Sequence, residues 1–130
     1  MTISTYNTEK GTFYIQSKGL NAGRPLKTPM VNSFVVKTDI KNAYEIVYSL
    51  WKSNVFEKYI VGSVIPFIKI KDVKNIVLKA IENSELYDEN KLNELNRLDL
   101  VIDNANKKIQ LIKQMQKVLA THINKEVNLS

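Results

Sequence analysis

The chain has 130 residues, of which 44% are hydrophobic and 25% are charged, with no Cys and a single His. This length fits one domain, or one small domain carrying an extension. The missing Cys exclude disulfide frameworks and Cys-ligated metal sites, and one His is too few for a His-based metal site. No apolar run reaches the roughly 18 residues of a membrane span, and the first ten residues lack a signal-peptide core. We therefore expect a cytoplasmic protein with no membrane partner, no cofactor and no metal.

The net charge of +6 is concentrated in the N-terminal part of the chain. Residues 1–80 hold 12 Lys and Arg against 5 Asp and Glu, whereas residues 81–130 hold 7 against 8. A basic small domain joined to a neutral segment favours nucleic acid as the partner. An ordinary Lys-rich solvated surface is the alternative.

Several regular elements are predicted in chain order, beginning with a polar arm or edge over residues 1–10. Residues 12–15 and 31–37 are rich in β-branched and aromatic side chains, which predicts two strands. Between them, residues 17–30 contain two Gly and two Pro, which predicts an irregular loop.

A helix is predicted next, from an N-cap at Thr38 or Asp39 to about residues 53–54, because apolar residues recur there at helical spacing. Residues 64–70 predict a strand that a proline interrupts at an edge or a bulge. Residues 71–81 are ambiguous between strand and helix. The prediction for the fold is therefore a small mixed α+β domain followed by a long helix.

The longest element is a stretch from Glu89 to about Lys125 that contains no Gly and no Pro. Its apolar residues recur with a mean step of about 3.4, close to the 3.5 of a coiled coil. The predicted interface residues are Leu95, Leu98, Ile102, Ala105, Ile109, Ile112 and Leu119. We therefore divide the chain into an α+β domain, residues 1–82, and a helix for dimerisation or partner pairing, residues 83–130.

The order of charges along this helix predicts the direction of pairing. Residues 82–103 hold seven acids and two bases, whereas residues 104–125 hold five bases and no acid. A second copy running antiparallel would place the acidic half against the basic half, and a parallel copy would place like charges together. The prediction is an antiparallel homodimer, or an antiparallel match to a similar subunit.

The loop over residues 17–27 is the most function-like segment, because it is basic and Gly-rich and contains no acid. Its candidate nucleic-acid contacts are Lys18, Asn21, Arg24 and Lys27, which could hold phosphates or read base edges. Lys69 and Lys71, at the end of the predicted strand, are candidate phosphate contacts. The alternative for the loop is a basic surface turn, and the alternative for Lys69 and Lys71 is the solvated face of a strand. No catalytic constellation is recognisable, so we expect no enzyme.

Three aromatic residues share one face of the first predicted helix, at Tyr44, Tyr48 and Trp51. Stacking on nucleic-acid bases is conceivable for such a row. Aromatic residues at this spacing are more often part of the core, and we interpret them so.

The motifs AYEIVYSLWKS (residues 43–53), GSVIPFIKIKDVKNI (residues 62–76) and LDLVID (residues 98–103) occur in an order that resembles a known family. It is similar to a target recognition domain plus spacer helix in the specificity (S) subunits of type I restriction-modification systems. The phrase SKGLNAGRPL (residues 17–26) is also similar to the signature of a small uncharacterised bacterial family.

The resemblance to S subunits implies a non-catalytic DNA-binding module that forms half of such a subunit. It further implies a methyltransferase subunit as partner and antiparallel pairing of the spacer helices. The alternative, from a different class, is a protein-interaction or structural module that has the same fold, dimerises through its helix and binds no DNA.

Overall fold

The computed structural model describes residues 1–129 and, within them, a four-stranded sheet and three α-helices. The strands are β1 (Thr2–Thr5), β2 (Phe13–Gln16), β3 (Pro25–Leu26) and β4 (Ser33–Lys37). The helices are α1 (Ala43–Lys52), α2 (Ile70–Glu82) and α3 (Glu89–Glu126), and short 3₁₀ turns cover Glu57–Tyr59 and Ser84–Leu86. The predicted α+β fold with a long C-terminal helix is confirmed.

The sheet is antiparallel throughout, with the strand order β1-β4-β2-β3. The central strands pair so that Ile15 lies opposite Phe34 and Tyr14 lies opposite Val35. Side chains alternate between the two faces of a strand. Ile15 and Phe34 belong to the main hydrophobic cluster, and Tyr14 and Val35 are buried outside it. Both faces of the central strands are therefore covered.

The N-terminal residues form one edge of the sheet and then cover its second face. Of the two predicted alternatives, arm or edge, the edge is the one found, because β1 pairs with β4. Downstream of β1, the ring of Tyr6 packs edge-on against Tyr14 with centroids 5.9 Å apart. The Gly11 N–H donates a hydrogen bond to the Tyr14 hydroxyl over 3.0 Å. A Cβ at Gly11 would lie 2.5 Å from Val35 Cγ1, so a larger residue would force this contact apart.

Helices α1 and α2 contribute to the hydrophobic cluster, together with the first face of the sheet. The buried residues of α1 are Ala43, Ile46, Val47, Tyr48 and Leu50, and those of α2 are Val73, Val77 and Ile81. The spacing of four residues in α2 keeps its buried side chains on one face of the helix. The ambiguous segment 71–81 is therefore a helix.

The predicted start of α1 is wrong, because the N-cap is Asn42 and not Thr38 or Asp39. Asn42 adopts the left-handed conformation, with φ 65° and ψ 15°, which Asn tolerates better than most residues. Thr38 is used elsewhere: its N–H donates to Thr12 Oγ1 over 3.1 Å, and its own Oγ1 accepts the N–H of Ile40. Thr38 therefore fixes the end of β4 and does not cap the helix.

The predicted strand over residues 64–70 is also wrong. This part of the chain forms only isolated bridges, in which Phe67 pairs with Val61 and with Lys18. Ile70 already begins α2. The loop predicted over residues 17–30 contains the short strand β3, whose Pro25 lies opposite Ile15 at the edge of the sheet.

The chain divides into two compact units, Met1–Asn93 and Glu94–Ser130. The first unit contains the sheet, α1, α2 and the first turn of α3, where Leu92 is buried in the cluster. The second unit contains the remainder of α3. Asp88 precedes the helix, and its Oδ1 accepts the N–H of Asn90 over 2.9 Å, as expected at a helix start. The functional division of the chain at residues 82 and 83 stays a prediction.

Candidate interaction surfaces

The basic loop over residues 17–27 has a defined conformation. Gly19 and Gly23 have φ values of 97° and 95°, in the left-handed region that favours glycine. A tight turn is closed by the Ala22 N–H, which donates to Gly19 O over 3.1 Å. The Gly23 N–H donates to Gln16 O over 2.8 Å, which ties the turn to the end of β2. These bonds hold Asn21, a candidate base-reading residue, exposed within the turn.

Two of the candidate cations lie over aromatic rings of α1. Arg24 Cζ is 5.3 Å from the centroid of Trp51, and Lys27 Nζ is 4.0 Å from the centroid of Tyr44. Contacts of this kind are cation–π interactions. Since Tyr44 and Trp51 are seven residues apart, about two turns of helix, the two cations follow one side of α1. The aromatic row thus contacts the basic loop, and Tyr48 in the same row is buried as predicted.

Backbone pairing brings Lys18 close to the segment that leads to Lys69. Lys18 is bridged to Phe67, and the Ile68 N–H donates to Ser17 O over 3.0 Å. Lys69 is the N-cap residue of α2 and Lys71 lies in its first turn. Both lysines are exposed, but they lie at a helix start and not at the end of a strand. Lys69 therefore lies near the basic loop because the segment before it pairs with Ser17 and Lys18, and not because it ends a strand.

In the described part of the chain, the candidate cations have no carboxylate partner. Within residues 1–129, ion pairs shorter than 4.0 Å involve Lys37, Lys41, Arg97 and Lys107, and none involves a cation of the basic loop, Lys69 or Lys71. A cation that is not neutralised by a neighbouring acid retains its full attraction for an external anion. The cations of the basic loop, Lys69 and Lys71 thus carry positive charge that no carboxylate within residues 1–129 neutralises.

Sequence reasoning missed a set of exposed apolar side chains next to these cations. Leu20, Val64 and Ile65 have 92%, 89% and 61% of their surface exposed. The sequence predicts a strand over residues 64–70, whereas Val64 and Ile65 lie in an exposed turn. Gly62 and Pro66, which bracket it, are the signal that could have indicated an exposed turn.

A cleft of about 310 Å³ lies beside the turn that carries Leu20. Its lining residues are Leu20, Ala22, Trp51, Asn54, Phe56, Glu57, Ile60 and Pro66.

Among residues 1–129, no group of three or more His, Cys, Asp or Glu is arranged to hold a metal ion. In the same part of the chain, no helix is both long enough and apolar enough to cross a membrane.

The second candidate surface is the apolar stripe of α3. Every residue from Leu100 to Leu129 is exposed. Among the predicted interface residues, the exposed fraction is 45% for Leu98, 50% for Ile102, 48% for Ile109, 57% for Ile112 and 62% for Leu119. Ala105 is exposed and Leu95 is partly exposed. These side chains have no cover within the helix itself.

Ion pairs within α3 support the helix but do not cover the stripe. Arg97 donates two hydrogen bonds to the Glu94 carboxylate, over 2.9 and 2.6 Å, and this contact lowers the pKa of Glu94. Lys107 lies 3.2 Å from Asp103. Pairs three or four residues apart stabilise a helix by a few tenths of a kcal/mol.

Comparison with known proteins identifies a family without an assigned activity. No curated protein and no solved structure matches the chain. A family model described as a family of unknown function, DUF6943, matches residues 3–122, which include both the basic loop and most of α3. The chain therefore belongs to the DUF6943 family.

Proposed function

We propose that this protein is a non-catalytic assembly module that pairs with a second copy of itself through antiparallel α3 helices. The observation that carries the proposal is the exposed apolar stripe from Leu95 to Leu119. Burial of one Leu, Ile or Val side chain is worth about 1.5–3 kcal/mol. Several such side chains in a coiled-coil repeat favour association strongly, because a single helix cannot bury its own stripe.

The charge order of α3 supports the antiparallel direction. In the second unit, the acids Glu94, Asp99 and Asp103 precede the cluster of Lys residues between 107 and 125. An antiparallel copy places each acidic half beside a basic half, whereas a parallel copy places lysines beside lysines. Exposed charges contribute little energy, but they decide between two orientations that bury the same apolar area.

The spacing of the stripe supports one particular antiparallel register. Ala105 and Ile109 are equally distant from Lys107, and so are Ile102 and Ile112. The same is true of Leu95 and Leu119. A register centred on Lys107 therefore places apolar residues opposite one another at all of these positions. The small Ala105 opposite Ile109 also suits the alternation of small and large side chains in a packed seam.

The molar mass of the full chain in solution tests the proposal. We expect sedimentation velocity over a range of concentrations to show a dimer that dissociates on dilution. A compact monomer at the highest concentration would contradict self-pairing. A mass above that of the dimer would mean that further apolar residues of α3, such as Leu100 and Leu111, also take part.

DNA binding is the second candidate function, and the uncompensated cations of the first unit favour it. Lys18, Arg24 and Lys27 lie on the basic loop, and Lys69 follows the segment that pairs with Lys18. Phosphate contacts by such residues position a protein on DNA, and Asn21 is suited to reading a base edge. We further propose a cytoplasmic location and a methyltransferase subunit as the partner. The resemblance to S subunits supports the methyltransferase partner.

Salt-dependent binding to duplex DNA tests this second candidate. Each phosphate that the protein neutralises contributes a slope of about −0.9 to the plot of log K against log salt. We expect the double variant Arg24→Ala/Lys27→Ala to bind more weakly and with a slope less steep by almost two units. The control is Lys10→Ala/Lys79→Ala, which removes the same charge from exposed positions outside the loop. Equal binding by the two double variants would exclude the loop as the DNA contact.

A further inference from the structure

We propose that the first unit docks onto an anionic lipid surface through two adjacent turns. Leu20 lies in one turn, and Val64 and Ile65 lie in the other; we call these three residues the apolar tips. The inference goes beyond both proposed functions. It concerns apolar side chains that neither α3 pairing nor phosphate binding uses.

Hydrogen bonds hold the two turns side by side. Leu20 lies within the turn that the Ala22 N–H closes by donating to Gly19 O over 3.1 Å. Val64 and Ile65 lie within the turn that Val61 and Phe67 close through two mutual backbone bonds of 2.9 Å. The turns are joined by the Gly19 N–H, which donates to Pro66 O over 2.8 Å. The backbone therefore fixes the apolar tips next to one another before any ligand binds.

The exposure of the apolar tips is not required by the fold. With 92%, 89% and 61% of their surface exposed, they lie outside the hydrophobic cluster of the first unit. Single exposed apolar residues are common, but a group of them on adjacent turns indicates an interaction site. Val31 is also 88% exposed, and it precedes Asn32, whose carbonyl accepts the Ser17 N–H over 2.9 Å.

Cations outnumber acids around the apolar tips, where Glu57 lines the cleft beside Leu20 and Asp72 follows Lys71. Residues 17–32 and 61–71 contain five Lys and Arg and no Asp or Glu. None of these five cations has a carboxylate partner within residues 1–129. Each Lys or Arg near an anionic membrane strengthens binding by about fivefold. The charge is therefore complementary to anionic headgroups and gives no preference for neutral ones.

Apolar tips with a cationic surround fit a bilayer better than duplex DNA. In a membrane interface, aliphatic side chains enter the boundary of the acyl chains while cations remain among the headgroups. The phosphates and base edges of DNA satisfy cations and polar side chains, but they leave three aliphatic side chains exposed to water. The sequence predicted no membrane partner because the chain has no apolar span, and peripheral docking requires no such span.

Sedimentation with lipid vesicles tests the proposal, with vesicles of phosphatidylcholine alone and of equal parts phosphatidylcholine and phosphatidylglycerol. We expect the wild-type chain to bind only the vesicles that contain phosphatidylglycerol. The double variant Leu20→Ser/Val64→Ser should bind them at least about tenfold more weakly. The matched control is Leu86→Ser, in a 3₁₀ turn of the same unit, where the leucine is 77% exposed but lies outside the two turns.

Three outcomes would overturn lipid docking. The wild type could fail to bind anionic vesicles, the double variant could bind them as well as the control, or binding could be the same with and without phosphatidylglycerol. Duplex DNA is titrated in parallel with the same variants. If DNA binds the double variant and the wild type equally and vesicles bind neither, the cations serve DNA and the lipid proposal fails. Melting curves of both variants show whether each fold is intact, and we expect no change because the replaced residues are exposed.

Discussion

Two neighbouring residues of α3 allow the proposed stripe to be tested against the rest of the helix surface. Ile112 belongs to the stripe, whereas Leu111 points about 100° away around the helix axis. Their exposed fractions are nearly equal, at 57% and 59%. Replacing each by Ala therefore removes similar apolar surface from the isolated chain, and only Ile112→Ala removes it from the proposed interface.

The magnitude for Ile112→Ala follows from its exposure. The change removes three carbon atoms, and burial of each is worth about 0.8 kcal/mol. Because 57% of the residue is exposed and available for burial, the loss is about 1.4 kcal/mol per helix. Both helices carry the substitution, so the dimer loses about 3 kcal/mol, which raises Kd about 100-fold.

Sedimentation equilibrium over a dilution series measures this difference directly. We expect Leu111→Ala to change Kd less than threefold, since its side chain stays outside the stripe in the dimer. If both variants weaken the dimer equally, the stripe has been assigned to the wrong face of α3. If neither does, α3 does not pair through its exposed apolar surface.

Two predictions concern the stability of the first unit. Gly23→Ala should lower the free energy of unfolding by at least about 1–3 kcal/mol, because its φ is 95° and the new Cβ would lie 2.7 Å from Phe56 Cδ2. Gly19 has a similar φ of 97°, but its new Cβ would meet only Gln16 Nε2, at 3.2 Å. Gly19→Ala should therefore lower the free energy of unfolding by less than Gly23→Ala, as measured by urea titration. An equal loss would exclude the Phe56 contact as the cause. The hydrogen bond and charge of Lys37 lower the pKa of Glu9, so this pair contributes stability above the ordinary Glu pKa, and that contribution is lost as the pH falls through the lowered value. Glu9→Gln should accordingly reduce the loss of Tm between neutral and acidic pH, and an unchanged pH dependence would contradict the role of the pair.

The long helix could be predicted from sequence almost to the residue. Its interior has no Gly or Pro, and Asp88 supplies a recognisable start, so local signals and the folded state agree. For α2 the sequence permits both strand and helix, because its first apolar residues follow a strand-like run. The spacing of Val73, Val77 and Ile81 is helical, and their burial on one side of α2 confirms the helix.

Other features depended on tertiary contacts that no local pattern reveals. Thr38 has the chemistry of an N-cap, but its N–H donates to Thr12, 26 residues earlier, and its Oγ1 accepts the N–H of Ile40 ahead of the helix, whose N-cap is Asn42. The residues around Val64 have strand propensity and still form an exposed turn, because Pro66 and Gly62 break the ladder. The basic loop was recognisable from its composition, whereas its contacts with Tyr44 and Trp51 required the fold.

The most direct test of α3 pairing uses two single-cysteine variants, which is possible because the chain has no Cys of its own. Leu95→Cys and Leu119→Cys chains are treated with a short bis-maleimide crosslinker, first separately and then as a mixture. The antiparallel register centred on Lys107 places residue 95 opposite residue 119, so we expect a crosslinked dimer only in the mixture. Crosslinked dimers of each variant alone would show parallel pairing. A mixture that sediments as a dimer but gives no crosslink would contradict the proposed register.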